Sequence, residues 1–295
     1  MYDLLLKGAH VVDPLNGVNG VNDVAVEGGK IAAVGPDLTG PAREVIDVSG
    51  WVLQPGIIDS HVHLGSMWGS PYGPRMLAMN GVTTCLDMAG PLDDILEKTP
   101  QYGAGLNTAI LQFASPPFTF KTNAPSKAEM VELIDKSLAE GALGVKLLGG
   151  HYPLTPEVSS TLIKTALERR AYVAWHAGTS AHGSNLEGMI EAVQTADGYP
   201  LHLAHINAYC RGAIKNEIDE ARTAVELLNA NPNIFSESYI SPKNGTRLTC
   251  GPDGKIQSKV TGNCLRHFGF TEDRDGVRKA LLAHKAFAVY DAGGY

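Results

Sequence analysis

From Pro55 onward the sequence repeats one unit: a short apolar run, a polar loop and a stretch of helical character. Seven apolar runs carry the repeat, at residues 57–59, 83–87, 108–112, 143–148, 172–176, 201–205 and 234–238. Parallel strands need long crossover connections, and helices supply them, so the alternation predicts βα units around a parallel sheet. Seven strands are one short of a (β/α)8 barrel. The expected fold class is therefore α/β, a TIM-type barrel left incomplete in residues 55–295. Helix boundaries fit this plan. Ser126 with Glu129 makes a capping-box pattern closed by Gly141, and Thr155-Pro156 opens a helix running toward Arg170. A further helix is expected around residues 277–284.

The preceding residues, 1–54, follow a different rule. Short apolar runs at 4–6, 10–12, 24–26, 31–34, 45–48 and 51–53 are separated by Asn16-Gly17, Asn19-Gly20 and Glu27-Gly28-Gly29-Lys30, the last suited to a tight hairpin. This predicts part of a small β-sandwich with no evident chemistry of its own.

Composition narrows the partners. With 44% hydrophobic and 19% charged residues the chain reads as a soluble globular protein. A formal net charge of −7, with no block of lysine or arginine, argues against a nucleic acid or an anionic membrane, and a small molecule is the expected ligand. Met1-Tyr2-Asp3-Leu4 lacks a basic and apolar leader, no run approaches the roughly 18 apolar residues of a membrane span, and a cytoplasmic location is expected. The four cysteines, 85, 210, 250 and 264, form no CxxC pair. Cys250 and Cys264 are read as reduced thiols in a polar loop, and Cys85 as core.

In a barrel of this type the active site lies at the C-terminal ends of the strands. Those ends carry His61 and His63, then Lys146, His176 and His205. His61 and His63 are separated by one residue, so in an extended strand both face the same way and can share one metal ion. Lys146 stands between Val145 and Leu147, where an unpaired ammonium would cost several kcal/mol, of the order expected for a buried ion. Strict alternation puts His202 and His205 on opposite faces, so one should point inward, and His205 is preferred as nearer the strand end.

Pro55-Gly56-Ile57-Ile58-Asp59-Ser60-His61-Val62-His63, followed by Gly81-Val82-Thr83-Thr84, Gly144-Val145-Lys146, Trp175-His176-Ala177-Gly178 and Leu203-Ala204-His205, resembles the amidohydrolase superfamily, in the branch containing dihydroorotase, hydantoinase and the D-aminoacylases. The resemblance runs to about residue 210. It implies that His61 and His63 hold one metal ion, that Lys146 carboxylated by CO2 bridges two ions, and that His176 and His205 hold the second. Two divalent ions, zinc being expected, would serve hydrolysis of an amide or cyclic amide C–N bond, with hydroxide attacking the carbonyl carbon. Carboxylation would also turn the costly Lys146 ammonium into an anionic oxygen ligand.

The same resemblance requires an aspartate at the end of an eighth strand to shuttle the proton. Asp291 is the one nominee, and it lacks a following helix. The expectation is therefore that a second polypeptide supplies the last strand, the aspartate and the rest of the sandwich, in an assembly expected to be oligomeric. At the position where dihydroorotases carry a substrate-binding arginine stands Gly65. His151 and Tyr152 occupy the neighbourhood of the hydantoinase tyrosine that donates to the oxyanion, and His182 and Arg211 are further candidates for substrate contact. The rival readings are a catalytically inactive homologue acting as a scaffold, favoured by the missing strand, and a superfamily deaminase using one metal, disfavoured by Lys146.

Overall fold

The computed structural model describes residues 1–65, 72–150, 152–238, 244–246, 250–256, 262, 265, 269–283 and 286–288, which fall into two compact units, Met1–Ile57 and Ile58–Tyr295. In the first unit, β1 (Tyr2–Asp13), β2 (Val18–Glu27), β3 (Lys30–Gly35) and β4 (Ala42–Asp47) lie in the order β3-β2-β1-β4, and β5 (Val52–Leu53) also pairs with β1. The β1–β2 and β2–β3 pairs are antiparallel, whereas β4 and β5 run parallel to β1. The runs at 4–6 and 10–12, expected as separate strands, are one strand. A register shift between Leu6 and Ala9 absorbs the break, with Gly8 at φ 76°, a backbone conformation that glycine reaches without steric cost. Ala9, Val11 and Val24 form the core of this sheet. Asp23 is buried in it, and its carboxylate accepts hydrogen bonds from Lys7 Nζ and from the Gly8 and Leu38 N–H groups, both at 2.8 Å.

In the second unit the expected alternation holds through the seven strands of its main sheet. The chain runs β6 (Ile57–Val62), α1 (Gly73–Met79), β7 (Val82–Asp87), α2 (Leu92–Tyr102), β8 (Asn107–Ala114), α3 (Lys127–Ala139), β9 (Gly144–Leu148), α4 (Pro156–Glu168), β10 (Tyr172–His176), α5 (Leu186–Ala196) and β11 (Leu201–Leu203). A 3₁₀ turn (Ile206–Tyr209), α6 (Glu217–Ala230) and β12 (Ile234–Ser236) follow, and then β13 (Asn244–Thr246), α7 (Arg274–Leu282) and β14 (Ala286–Ala288). β6 to β12 form one seven-stranded sheet in strict sequence order, an incomplete barrel, while β13 and β14 pair with each other. Ser126 and Glu129 form the reciprocal capping box at the start of α3, and the Thr155 hydroxyl accepts from Val158 N to open α4. The last helix starts three residues before the expected Val277, because Asp273 caps it by accepting from Gly276 N. His284 lies outside the described residues. No described helix is long and apolar enough to cross a membrane.

The two faces of the sheet carry different chemistry, as the period of two demands. Val145, Leu147, Val173, Trp175, Leu201, Leu203 and Ile234 point outward into the main core beneath the helices, together with Met130, Ile134, Leu162, Ile163 and Met189. On the inner face the register aligns Phe113, Lys146, Ala174, His202 and Phe235 in one row across five strands. The apolar layer of the interior is Leu86, Met88, Leu111 and Ala174. Cys85 is buried on the outward side of β7, in a core of Val82, Leu92, Ile95 and Ile110, as expected. Cys250 is a free thiol, and Cys264 lies outside the described residues.

Candidate active site at the strand ends

The inner row places Lys146 where its side chain has little choice. It is 1% exposed, and its Nζ donates to the Met88 sulfur at 3.6 Å. Burial lowers the ammonium pKa to about 7, against the opposing pull of Glu237 and Asp87. His61 and His63 do share a face, with their rings edge to face at 5.2 Å. His205 stacks on His61 at 5.2 Å and meets His176 at 4.4 Å, so four imidazoles from three strand ends form one cluster. Desolvation lowers the pKa of His61 and, further, that of His205, which keeps both rings neutral and their lone pairs available.

The alternation argument for His202 and His205 fails here. β11 ends at Leu203, and His205 takes up a left-handed conformation, φ 38°, that turns its ring into the same interior His202 faces. The two histidines differ in their hydrogen bonds instead. His202 uses both nitrogens, with Nδ1 2.9 Å from the Tyr172 hydroxyl and Nε2 2.5 Å from Glu237 Oε2. His205 Nδ1 is buried without a hydrogen-bond partner. A buried, unpartnered imidazole nitrogen is costly unless something binds it. Neutral imidazoles with one such orphan beside a buried lysine fit a metal-binding donor set. Among the described residues the rings pack on one another, and no three His, Cys, Asp or Glu side chains converge on one point at ligand distance.

Two acidic residues that the sequence reading passed over organise this cluster. Glu237 follows β12, and its carboxylate reaches His61 Nδ1 and His202 Nε2 and accepts from His205 N at 2.8 Å. Burial opposes its charge, but the hydrogen bonds from His202 and His61 outweigh that and hold its carboxyl far below the ordinary range. Asp87, at the end of β7, is wholly buried and accepts from the N–H groups of Leu64 (2.5 Å), Ala89 (3.0 Å) and Gly90 (2.5 Å). It fastens the loop after His63 to the loop that carries Met88. Asp87 ends β7, Glu237 follows β12 and Lys146 stands within β9, so each is a charge in or beside an apolar run.

Two glycines are set by close approach. A Cβ on Gly65 would lie 2.2 Å from the Gly90 carbonyl oxygen, so the backbone there admits no side chain and hence no arginine. A Cβ on Gly150 would lie 2.0 Å from His176 Nε2. His176 Nε2 is 2.8 Å from the Ser184 hydroxyl. Tyr209, fully buried, donates to Ala204 O at 2.7 Å and receives Ala177 N–H at 2.8 Å, locking together the two strand ends that carry His176 and His205. The other nominated residues fall in different places. Tyr152 packs edge to face on Phe118, which packs on the inner-row Phe113. His182 lies 3.1 Å from Glu191 of α5, and Arg211 follows the 3₁₀ turn in a half-buried position. His151 and Asp291 lie outside the described residues.

Fold and site together define an incomplete parallel barrel with a histidine cluster at the strand C-termini. Solved structures share this fold: D-aminoacylase aligns over 98% of this chain and 75% of its own at TM-score 0.66 and 20% identity. The N-acyl-D-glutamate deacylase of Bordetella bronchiseptica, solved with zinc and a phosphonate mimic of the tetrahedral intermediate, aligns over 97% and 75% at TM-score 0.65 and 16% identity. In sequence, the allantoinase of Escherichia coli (strain SMS-3-5 / SECEC) is 44% identical over 99 residues, 32% of this chain. That match spans 21%, about a fifth, of the allantoinase. No protein-family model matches the chain. The chain is thus similar in fold to D-aminoacylase and dihydropyrimidinase and, over 99 residues, similar in sequence to allantoinase.

Proposed function

We propose that this chain carries most of the active site of a metal-dependent hydrolase of amide or cyclic-amide C–N bonds. The observation that supports it best is His205 Nδ1, a buried nitrogen with no partner, set among three other imidazoles beside the buried Lys146. His61 and His63 would hold one divalent ion, His176 and His205 a second, and a carboxylated Lys146 would bridge them. Zinc is the metal that this donor set favours. When bound, the ions supply a water acidified toward neutrality and a polarised substrate carbonyl.

The chain's own residues do the remaining work. The Lys146 ammonium would lose one proton, and the resulting amine would add to the carbon of CO2 and lose a second, both to solvent, which replaces a buried cation by an anion with two oxygen donors. The neutral rings of His61 and His205 present lone pairs and need no deprotonation. Leu86, Met88 and Leu111 keep water from the floor of the site. Tyr152, His151, His182 and Arg211 are the proposed substrate contacts, with Tyr152 braced by Phe118 over the inner row. The names of the relatives, allantoinase, dihydropyrimidinase and N-acyl-D-glutamate deacylase, suggest a cyclic ureide or an N-acylated amino acid as substrate.

The proton-shuttling aspartate is assigned to an eighth strand outside the described residues, with Asp291 one nominee. Neither β6 nor β12 has a second neighbour among the described residues, and such bare edges invite pairing. A further segment, on this or a second polypeptide, is proposed to fill the gap. One structural neighbour is a chain of the formyltransferase/hydrolase complex of Methylorubrum extorquens, at TM-score 0.62 and 18% identity over 84% of this chain and 55% of that one. Turnover of hydantoin-type rings and N-acyl-D-amino acids, lost on chelation and restored by zinc, tests the reading. Turnover indifferent to chelation would overturn it.

A further inference from the structure

One carboxylate ties three strand ends together. Glu237 stands just past β12, and its two oxygens meet groups from β6, from β11 and from the residue two past the end of β11: His61 Nδ1 and the His205 N–H on Oε1, and His202 Nε2 on Oε2. An ionised carboxylate only accepts, so each partner nitrogen must carry a hydrogen. His202 meets this requirement, since its Nδ1 is taken by the Tyr172 hydroxyl, which leaves Nε2 as the donor. His205 offers its backbone. His61 must therefore donate from Nδ1, which puts its lone pair on Nε2.

We propose that Glu237 is a positioning residue for the metal centre: by accepting His61 Nδ1–H it fixes that ring's tautomer and aims Nε2 at the ion. The purpose of this device rests on the proposed metal centre, but the tautomer is a property of the chain itself. Two features make the assignment more than a structural tie. His61 lies on β6 and Glu237 just after β12, the two edges of the sheet, so the contact spans the place where no strand pairs among the described residues. Of the two rings Glu237 holds, His61 alone keeps a nitrogen in reserve, because Tyr172 occupies the second nitrogen of His202. A histidine that donates one N–H to a carboxylate while its other nitrogen ligates is the usual outer-shell arrangement around zinc.

The test uses the full chain and two readouts. In metal-free protein above neutral pH, ¹⁵N-detected NMR of the imidazoles should show His61 as the Nδ1–H tautomer. In Glu237→Leu, which removes both acceptor oxygens, His61 should revert to the Nε2–H form that imidazole prefers in water. Zinc affinity, read by competition with a chromophoric chelator, should fall about 10–100-fold in that variant. Glu237→Gln, whose amide oxygen would stay with the His205 N–H that can only donate and so would still accept from His61 Nδ1–H, should keep the tautomer and most of the affinity. A wild-type His61 in the Nε2–H form overturns the inference whatever the variants do, as does an unchanged zinc affinity in Glu237→Leu. His61→Ala separates the two claims: if it binds zinc like wild type, the metal reading fails, and the tautomer still decides the role of Glu237.

Discussion

Replacing Asp87 by asparagine removes one of the two acceptors that hold the loop after His63. Oδ1 would keep the N–H groups of Ala89 and Gly90, while the new NH2 would face Leu64 N–H, a donor that now sits 2.5 Å from Oδ2. Two buried donors are then unsatisfied, at about 1–3 kcal/mol each. Part of this is offset, because burial raises the pKa of Asp87 and the neutral amide is cheaper to bury than the carboxylate. A net loss of about 2 kcal/mol follows, or about 4–8 °C in Tm for a unit of this size. Urea unfolding followed by tryptophan fluorescence measures the loss, and hydrogen exchange at Leu64, Gly65 and Gly90 localises it. A change below about 0.5 kcal/mol with unchanged exchange at Leu64 would refute the role given to Asp87.

Gly65→Ala should cost at least about 1–3 kcal/mol, since the added Cβ would meet backbone at 2.2 Å, and a thermal midpoint equal to wild type would show that the loop can yield. In the N-terminal sheet, the hydrogen bond from Lys7, helped by the Gly8 and Leu38 N–H groups, holds Asp23 below the ordinary carboxylate range against the cost of burial. A depressed pKa contributes stability that is present above the unfolded value near 3.8 and lost as pH falls through the folded one. Exchange protection of β1 and β2 should therefore weaken below about pH 4 in wild type, and Asp23→Asn should flatten that dependence.

The repeat of strand and helix was legible because each strand buries one face beneath helices and so advertises a period in its residues. All seven strands fall where their apolar runs predict. The N-terminal sheet was less so: a bulge at Gly8 joins two runs into one strand, and nothing local announces a bulge from a turn. At the site, the inward face of Lys146 and the shared face of His61 and His63 follow from alternation alone. His205 does not, because β11 stops two residues earlier and a left-handed residue resets the facing. Glu237 and Asp87 were missed for a related reason. A carboxylate at a strand end reads as solvated until the fold shows which backbone and imidazole N–H groups it meets, and the distant ones, Leu64 for Asp87 and His61 for Glu237, lie 23 and 176 residues away along the chain.

The central claim is that the imidazole cluster is a metal centre in which His205, with its orphan nitrogen, ligates and His202, with both nitrogens engaged, does not. Zinc stoichiometry by mass spectrometry of the purified protein, compared among wild type, His205→Ala and His202→Ala, measures this directly. The account predicts up to two ions per chain in wild type, loss of at least one in His205→Ala, and retention of the metal in His202→Ala. Wild-type protein that holds no zinc, or a His205→Ala variant that keeps its full complement, would contradict it.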